Sequence, residues 1–295
     1  MQKKFYIPNL ITKSIPKGVV DHILDQTIKH IHENLYVNIS STGNDDTADG
    51  SQEKPFKTLN KALEFVRRTV HIYKIGAGVR INFLTDYTET ENIVYFKRIV
   101  GEDFSETMYT TVYTNGHNVQ LNAIKVEGTS VIFADEITFN CNVPTLTAPL
   151  VYSLKEGSIA FKKNITINLN SKKVTTNLIA VLKYSAIDCY GDIIINVKQP
   201  CECKAIIGED QYAFFNIRKN ISTYGEAVTL TDCFLRMNVY SYMNIYRDST
   251  ITAQNQFTGK RYVVSLACTI TTHGKGAEFL PGSTNGTLEY NGEYY

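Results

Sequence analysis

A 28-residue period runs through the second half of this chain and restricts its fold more than any single motif. Val131, Ile159, Ile187, Phe215 and Met243 stand at equal spacing. So do Phe133, Phe161, Cys189, Ile217 and Ile245, then Ile137, Ile165, Ile193, Ile221 and Ser249, then Phe139, Ile167, Ile195, Thr223 and Ile251. Eighteen of these twenty positions are apolar, against 43% for the whole chain. Two further columns are wholly apolar: Leu150, Leu178, Ile206, Phe234 and Tyr262, and Val151, Ile179, Ile207, Leu235 and Val263. A fixed period of this length means stacked units, none of which can bury its apolar face alone.

Spacing within one repeat identifies the unit. Ile159 and Phe161, then Ile165 and Ile167, alternate with Ala160 and Thr166, which is the strand period. Most of these residues are β-branched or aromatic, as strands favour. The break Lys162-Lys163-Asn164 is too short for a helix and suits a corner. The expected fold is mainly β: a single-stranded, right-handed parallel β-helix with 28-residue rungs, stacked about 4.8 Å apart. Each corner ends in Glu136, Asn164, Asp192, Asn220 or Asp248, and Asn and Asp tolerate left-handed backbone. Outward rows such as Asn140, Asn168 and Asn196 read as solvated, and Lys204, Asp232 and Lys260 as an alternating charge stack.

The N-terminal part is different. Val19, Val20, Ile23, Leu24, Ile28 and Ile31 recur at helical spacing after Pro16, through about Asn34. A strand over Leu35 to Ile39 follows, then a turn-rich stretch, then a second helix over about Leu59 to Thr69. Such a helix would cap the open end of the coil, which otherwise exposes unpaired edges. The chain therefore divides into a helical segment (1–34), the β-helix opening with its capping helix (35–78), the β-helix (79–270) and a C-terminal tail (271–295).

Composition narrows the function classes. Thirty Lys and Arg against 29 Asp and Glu argue against a general nucleic-acid binder. No apolar run approaches the roughly 18 residues of a membrane span, and the start has no continuous apolar stretch of the signal-peptide kind. No membrane insertion is expected, and the chain reads as made in a cytoplasm. Cys201-Glu202-Cys203 lacks a second pair at metal-ligand spacing, so the six cysteines read as structural thiols. Asp45, Asp46 and Asp49 lack the alternation of a calcium loop and suit a turn. His30 and His32 face different ways on a helix. No metal and no cofactor is expected.

Gly43-Asn44-Asp45, Asp49-Gly50 and Pro55-Phe56-Lys57-Thr58, followed by a helix to Val66, resemble the opening of the pectate-lyase-like β-helix of bacteriophage and prophage tail spikes and tail fibres. Phe279-Leu280-Pro281-Gly282, then Gly286, Gly292 and a terminal Tyr, resemble the ending of many phage tail proteins. The resemblance implies a homotrimer on the virion tail, attached to other tail or baseplate proteins and contacting a glycan of the host surface. Some members cleave polysaccharide, so a depolymerase of the same fold is the alternative.

Residue chemistry bears on that choice. Paired carboxylates would be needed for cleavage, and no two outward acids stand on adjacent rungs of one strand face in this register. Glu89, Glu91, Glu102 and Asp103 lie where the repeat assigns no register. Binding has a candidate surface: Lys162, Lys163, Tyr190, Arg218, Lys219, Tyr246 and Arg247 occupy one corner on four successive rungs, a basic and aromatic set that suits an anionic sugar. A solvated basic edge is the plainer reading of the same residues.

Overall fold

The computed structural model describes residues 29–72, 76–89, 93–99, 109–254 and 256–295. They form the expected parallel coil. Three parallel sheets of ten, seven and nine strands make its walls. The first sheet begins with Leu35–Ile39 and ends with Glu293–Tyr294. The second runs from Tyr87–Thr88 to Ile251–Ala253, and the third from Ile93–Lys97 to Thr287–Leu288. Each rung visits the three in turn. Ser130–Phe133, Ile137–Cys141 and Val151–Leu154 make one rung; Ser158–Phe161, Ile165–Leu169 and Lys173–Leu182 make the next.

The inward columns are those of the sequence. Val131 pairs with Ile159, Ile159 with Ile187, Ile187 with Phe215 and Phe215 with Met243. Phe161 is 1% exposed, and its ring stacks on Phe133 at 5.2 Å between centroids. On its other side it pairs with Cys189. All six cysteines are buried free thiols. Burial pushes the Cys201 thiol up to about 11 and the Cys233 thiol up to about 12.

The register slips at the last full rung. Ile221 pairs with Ile251, not Ser249, and Thr223 with Ala253, not Ile251. Leu235 pairs with Tyr262, which moves Tyr262 and Val263 one place from their expected columns. The corner after Ile245 is longer, and the Asp248 position of the corner column passes to Thr250. The Thr250 amide and hydroxyl both donate to Asn220 Oδ1, at 3.0 and 2.8 Å. Lys260 likewise pairs with Cys233, and Asp232 bonds Arg236 at 2.8 Å instead of joining a charge stack.

The left-handed backbone lies at a different corner from the one expected. None of Glu136, Asn164, Asp192, Asn220 and Asp248 has positive φ. Their side chains instead hydrogen-bond from rung to rung: Asn164 Nδ2 donates to Glu136 at 3.1 Å, and Asn220 Nδ2 to Asp192 at 3.0 Å. Consecutive left-handed pairs stand between the third and first sheets, at Lys155-Glu156, Lys183-Tyr184, Gln211-Tyr212, Val239-Tyr240, Leu266-Ala267 and Tyr290-Asn291. The row Asn140, Asn168, Asn196 is also more than a solvated face. Asn168 Nδ2 donates to Asn140 at 2.8 Å and Asn196 Nδ2 to Asn168 at 3.0 Å, half-buried.

The opening is tied together by one carboxylate. Asp45 accepts from the Lys57 amide, the Thr58 amide and the Thr58 hydroxyl at 2.8, 3.0 and 2.9 Å. Thr58 then caps the helix Leu59–Thr69 by accepting from Lys61 N. That helix buries Leu59, Ala62 and Val66 over the first rungs. Asp49 accepts from the Ser51 amide, so both acids build turns. Of the helix expected from Pro16 to Asn34, most lies outside the described residues. Lys29–Ile31 is a strand, paired with Val70–Ile72. The tail extends the coil: Thr287–Leu288 and Glu293–Tyr294 pair with Val263–Val264 and Thr269–Ile270. Tyr294 stacks on Tyr262 at 4.5 Å.

Candidate functional site

The seven corner residues do come together, with divided roles. Position 162 of one rung stacks on 190, 218 and 246 of the next three, and 163 on 191, 219 and 247. In the first column cations and rings alternate. Lys162 Nζ sits 3.8 Å from the Tyr190 ring centroid. The Arg218 guanidinium lies 4.5 Å from Tyr190 and 4.7 Å from Tyr246. Arg218 also bonds Asp188 at 3.1 Å and donates to the Tyr246 hydroxyl at 2.5 Å. These contacts occupy the cations and the ring faces with one another, and a cation–π contact at an exposed site contributes about 0.5–1 kcal/mol.

The second column is open. Lys163, Lys219 and Arg247 are exposed and form no ion pair among the described residues. Gly191 lies between the two lysines. A Cβ there would meet the Lys163 carbonyl carbon at 2.2 Å, so the rung passes flush with its neighbour. The result is a shallow depression between Lys163 and Lys219, bordered by Lys162, Tyr190, Asn164 and Asp192. Two lysines two rungs apart stand about 9.6 Å from each other along the column. Asp192 directs Oδ1 to the Asn220 amide, at 3.0 Å, which uses part of the one carboxylate at the rim.

Acids are arranged differently from the expectation. Glu202 and Asp232 line one shallow depression, brought there by irregular pairing between Cys203 and Ala205 and between Thr229 and Cys233. Each is committed to a cation, Glu202 to Lys173 at 2.8 Å and Asp232 to Arg236 at 2.8 Å. Asp192 and Asn220 belong to the corner ladder. Glu89 is 8% exposed and accepts the Tyr87 hydroxyl at 2.7 Å. Glu91, Glu102 and Asp103 lie outside the described residues.

A second feature escaped the sequence reading. Tyr184, Tyr212 and Tyr240 occupy the left-handed corner and stack on one another at 5.0 and 5.2 Å, with planes 4° and 13° apart. They are 64%, 40% and 57% exposed. Phe214, also exposed, flanks Tyr212 on the same rung, and the exposed Leu266 and Tyr290 extend this surface toward the C-terminal end. The tyrosines recur every 28 residues, so the same period would have found them. They stand at a corner, outside the strand columns through which the period was followed.

No protein-family model matches the chain, and no curated protein or solved structure matches it.

Proposed function

We propose that this chain is a phage or prophage tail-fibre or tail-spike component that binds an acidic polysaccharide of the host surface as a homotrimer. The observation that carries the binding reading is the depression between Lys163 and Lys219. Two ammonium groups, without an ion pair among the described residues, flank a glycine-flush rung on a backbone held by parallel sheets. A rigid site gives up little conformational entropy on binding, and paired charges favour a polyanion over a neutral chain. Lys162 and Arg218 support the rim through their ring contacts instead of reaching the ligand.

The virion reading rests on the resemblance of the opening and the ending to phage tail proteins, together with the parallel coil between them. Placement on a virion tail and attachment to other tail proteins belong to the same proposal. Self-association is supported by the exposed aromatic corner. Binding without cleavage is favoured because the two acids that share a depression, Glu202 and Asp232, are each neutralised by a cation.

The test uses full-length protein and polygalacturonate, an acidic polysaccharide of simple composition. Binding that weakens with salt, and falls at least tenfold in the double variant Lys163→Glu/Lys219→Glu, is expected. Equal binding by that variant would remove the corner from the site. Shortening of the polymer would replace binding with cleavage.

A further inference from the structure

Parallel pairing sets Asn140, Asn168 and Asn196 in register on the outer face of the second sheet, because every second side chain of a strand points outward. Asn140 Nδ2 donates to Gln120 at 2.6 Å, Asn168 Nδ2 to Asn140 at 2.8 Å and Asn196 Nδ2 to Asn168 at 3.0 Å. A primary amide has two N–H groups and a carbonyl oxygen with two lone pairs. Among the described residues the ladder uses one N–H of each asparagine and one lone pair of Asn140 and Asn168. The three side chains are half-buried, so their outer edges meet solvent. Each therefore keeps a donor and an acceptor at the surface, on an amide that its neighbours hold in one orientation.

Two residues nearer the basic corner stand the hydroxyls of Thr138, Thr166 and Ser222, with Ile194 as an aliphatic patch between the last two. From Thr138 to Tyr224 neither outward column holds a charged residue. The next column toward the corner is the ladder of Glu136, Asn164, Asp192 and Asn220, and beyond it lie the exposed Lys163 and Lys219. Three residues separate Lys163 from Thr166 and Lys219 from Ser222, a reach of at most about 11 Å. A polymer lying along the coil can touch both strips. Glu136 and Asp192 divide them by charge: a carboxylate is drawn to the lysine side and repelled from the crossing, while a hydroxyl can bond on either side. The first sheet stands between this surface and the aromatic corner, so assembly through that corner would leave it open.

We propose that the second-sheet face binds the hydroxyls of the same acidic polysaccharide whose carboxylates meet Lys163 and Lys219. This role rests on the binding reading of the corner and adds to it: the corner selects negative charge, and the amide and hydroxyl columns select a glycan among polyanions. Sugar hydroxyls both donate and accept, as these columns do. A polymer of carboxylates alone can use only the donors and leaves the acceptors to water. A polysaccharide repeats its hydroxyls along its length, as the ladder repeats its amides about 4.8 Å apart. Ile194 can cover the apolar C–H face of a ring. Amides already ordered by the ladder lose little freedom on binding.

Calorimetric titration of the full-length protein with polygalacturonate, and with polyacrylate, which carries carboxylates but no hydroxyls, tests the role. Asn168→Leu/Asn196→Leu should lower polygalacturonate affinity at least fivefold and change polyacrylate affinity less than twofold. Thr138→Val/Thr166→Val should act in the same direction; valine suits a strand, so this variant decides the question if the asparagine variant fails to fold. Lys163→Glu/Lys219→Glu should weaken both polymers at least tenfold. The role is overturned if the folded face variants bind polygalacturonate as the parent does, or lose polyacrylate equally, while the lysine variant still loses binding. If the lysine variant binds as the parent does, or the parent binds neither polymer, the corner reading itself fails and this role falls with it.

Discussion

Glu209 lies in an inward column between Val181 and Met237, with Ser153 and Val264 one rung further on either side. It is 1% exposed, and neither carboxyl oxygen has a hydrogen-bond partner. Burial pushes its carboxyl well above the ordinary 4.5, so the folded coil holds this proton to higher pH than the unfolded chain does. The unfolded chain releases that proton above about 4.5, while the folded chain keeps it. The folded state thus binds more protons, and stability falls as pH rises from about 4.5 toward the raised value. The slope approaches about 1.4 kcal/mol per pH unit. Glu209→Gln should flatten this dependence. Glu209→Met, which repeats the residue of the next rung, should also remove the orphan polar group and stabilise by about 1–3 kcal/mol at pH 8. Urea denaturation of the three proteins at pH 5 and pH 8 measures both effects. A parent curve with equal stability at the two values, matched by Glu209→Gln, would show that the carboxyl is not buried neutral. Phe161 marks the other extreme of legibility. Its burial followed from the period together with the strand alternation, which puts Val131, Phe133, Ile159 and Phe161 on one face. Glu209 is not legible in this way, because one charged residue in an inward column carries no signal of its own.

Corners separate what could be read at the scale of elements from what could not. Strand columns were legible because parallel stacking forces every rung to repeat the same inward positions. The slip at Ile251 was not, because a longer second-sheet corner is followed by a 27-residue step from Leu235 to Tyr262, and the two nearly cancel. The left-handed corner was placed wrongly for a chemical reason. Asn and Asp suit positive φ, yet here they use their side chains as a hydrogen-bonded ladder, and of the twelve left-handed positions at the other corner only Asn291 holds either type. Val239, at φ 54°, is the most strained kind, since a β-branched residue in this region is disfavoured by about 1–2 kcal/mol. Val239→Asn should therefore raise the stability of the isolated chain by about 1 kcal/mol, measured by the same urea titration. A loss of stability would mean that packing at this corner outweighs the backbone strain. Strain of this kind persists where a side chain is needed for another purpose.

For the whole molecule, the purpose proposed here is assembly. Tyr184, Tyr212, Phe214, Tyr240, Leu266 and Tyr290 run along one edge of the coil, each 40–75% exposed. At the roughly 200 Å² that a large side chain can bury, the edge leaves on the order of 600 Å² of mainly apolar surface in water. That reaches the largest patches usual on monomers and approaches the roughly 800 Å² per partner of a stable interface. Lys183 and Glu293 flank the two ends of the stripe and no charge stands between them in its three columns, so one long contact is favoured. The three tyrosine faces already stack on one another, so their outer edges and hydroxyls are what a neighbour would meet. A ring of three copies about an axis parallel to the coil would bring these edges together and remove them from water. Light scattering at micromolar concentration should give about 100 kDa, three times the 33.3 kDa chain. Tyr212→Arg/Leu266→Glu places charges in the middle of the stripe on exposed positions, so the coil should keep its strand content while the mass falls to that of one chain. A trimer that survives this double variant would place the interface on another edge, and a parent that is already monomeric would end the assembly reading.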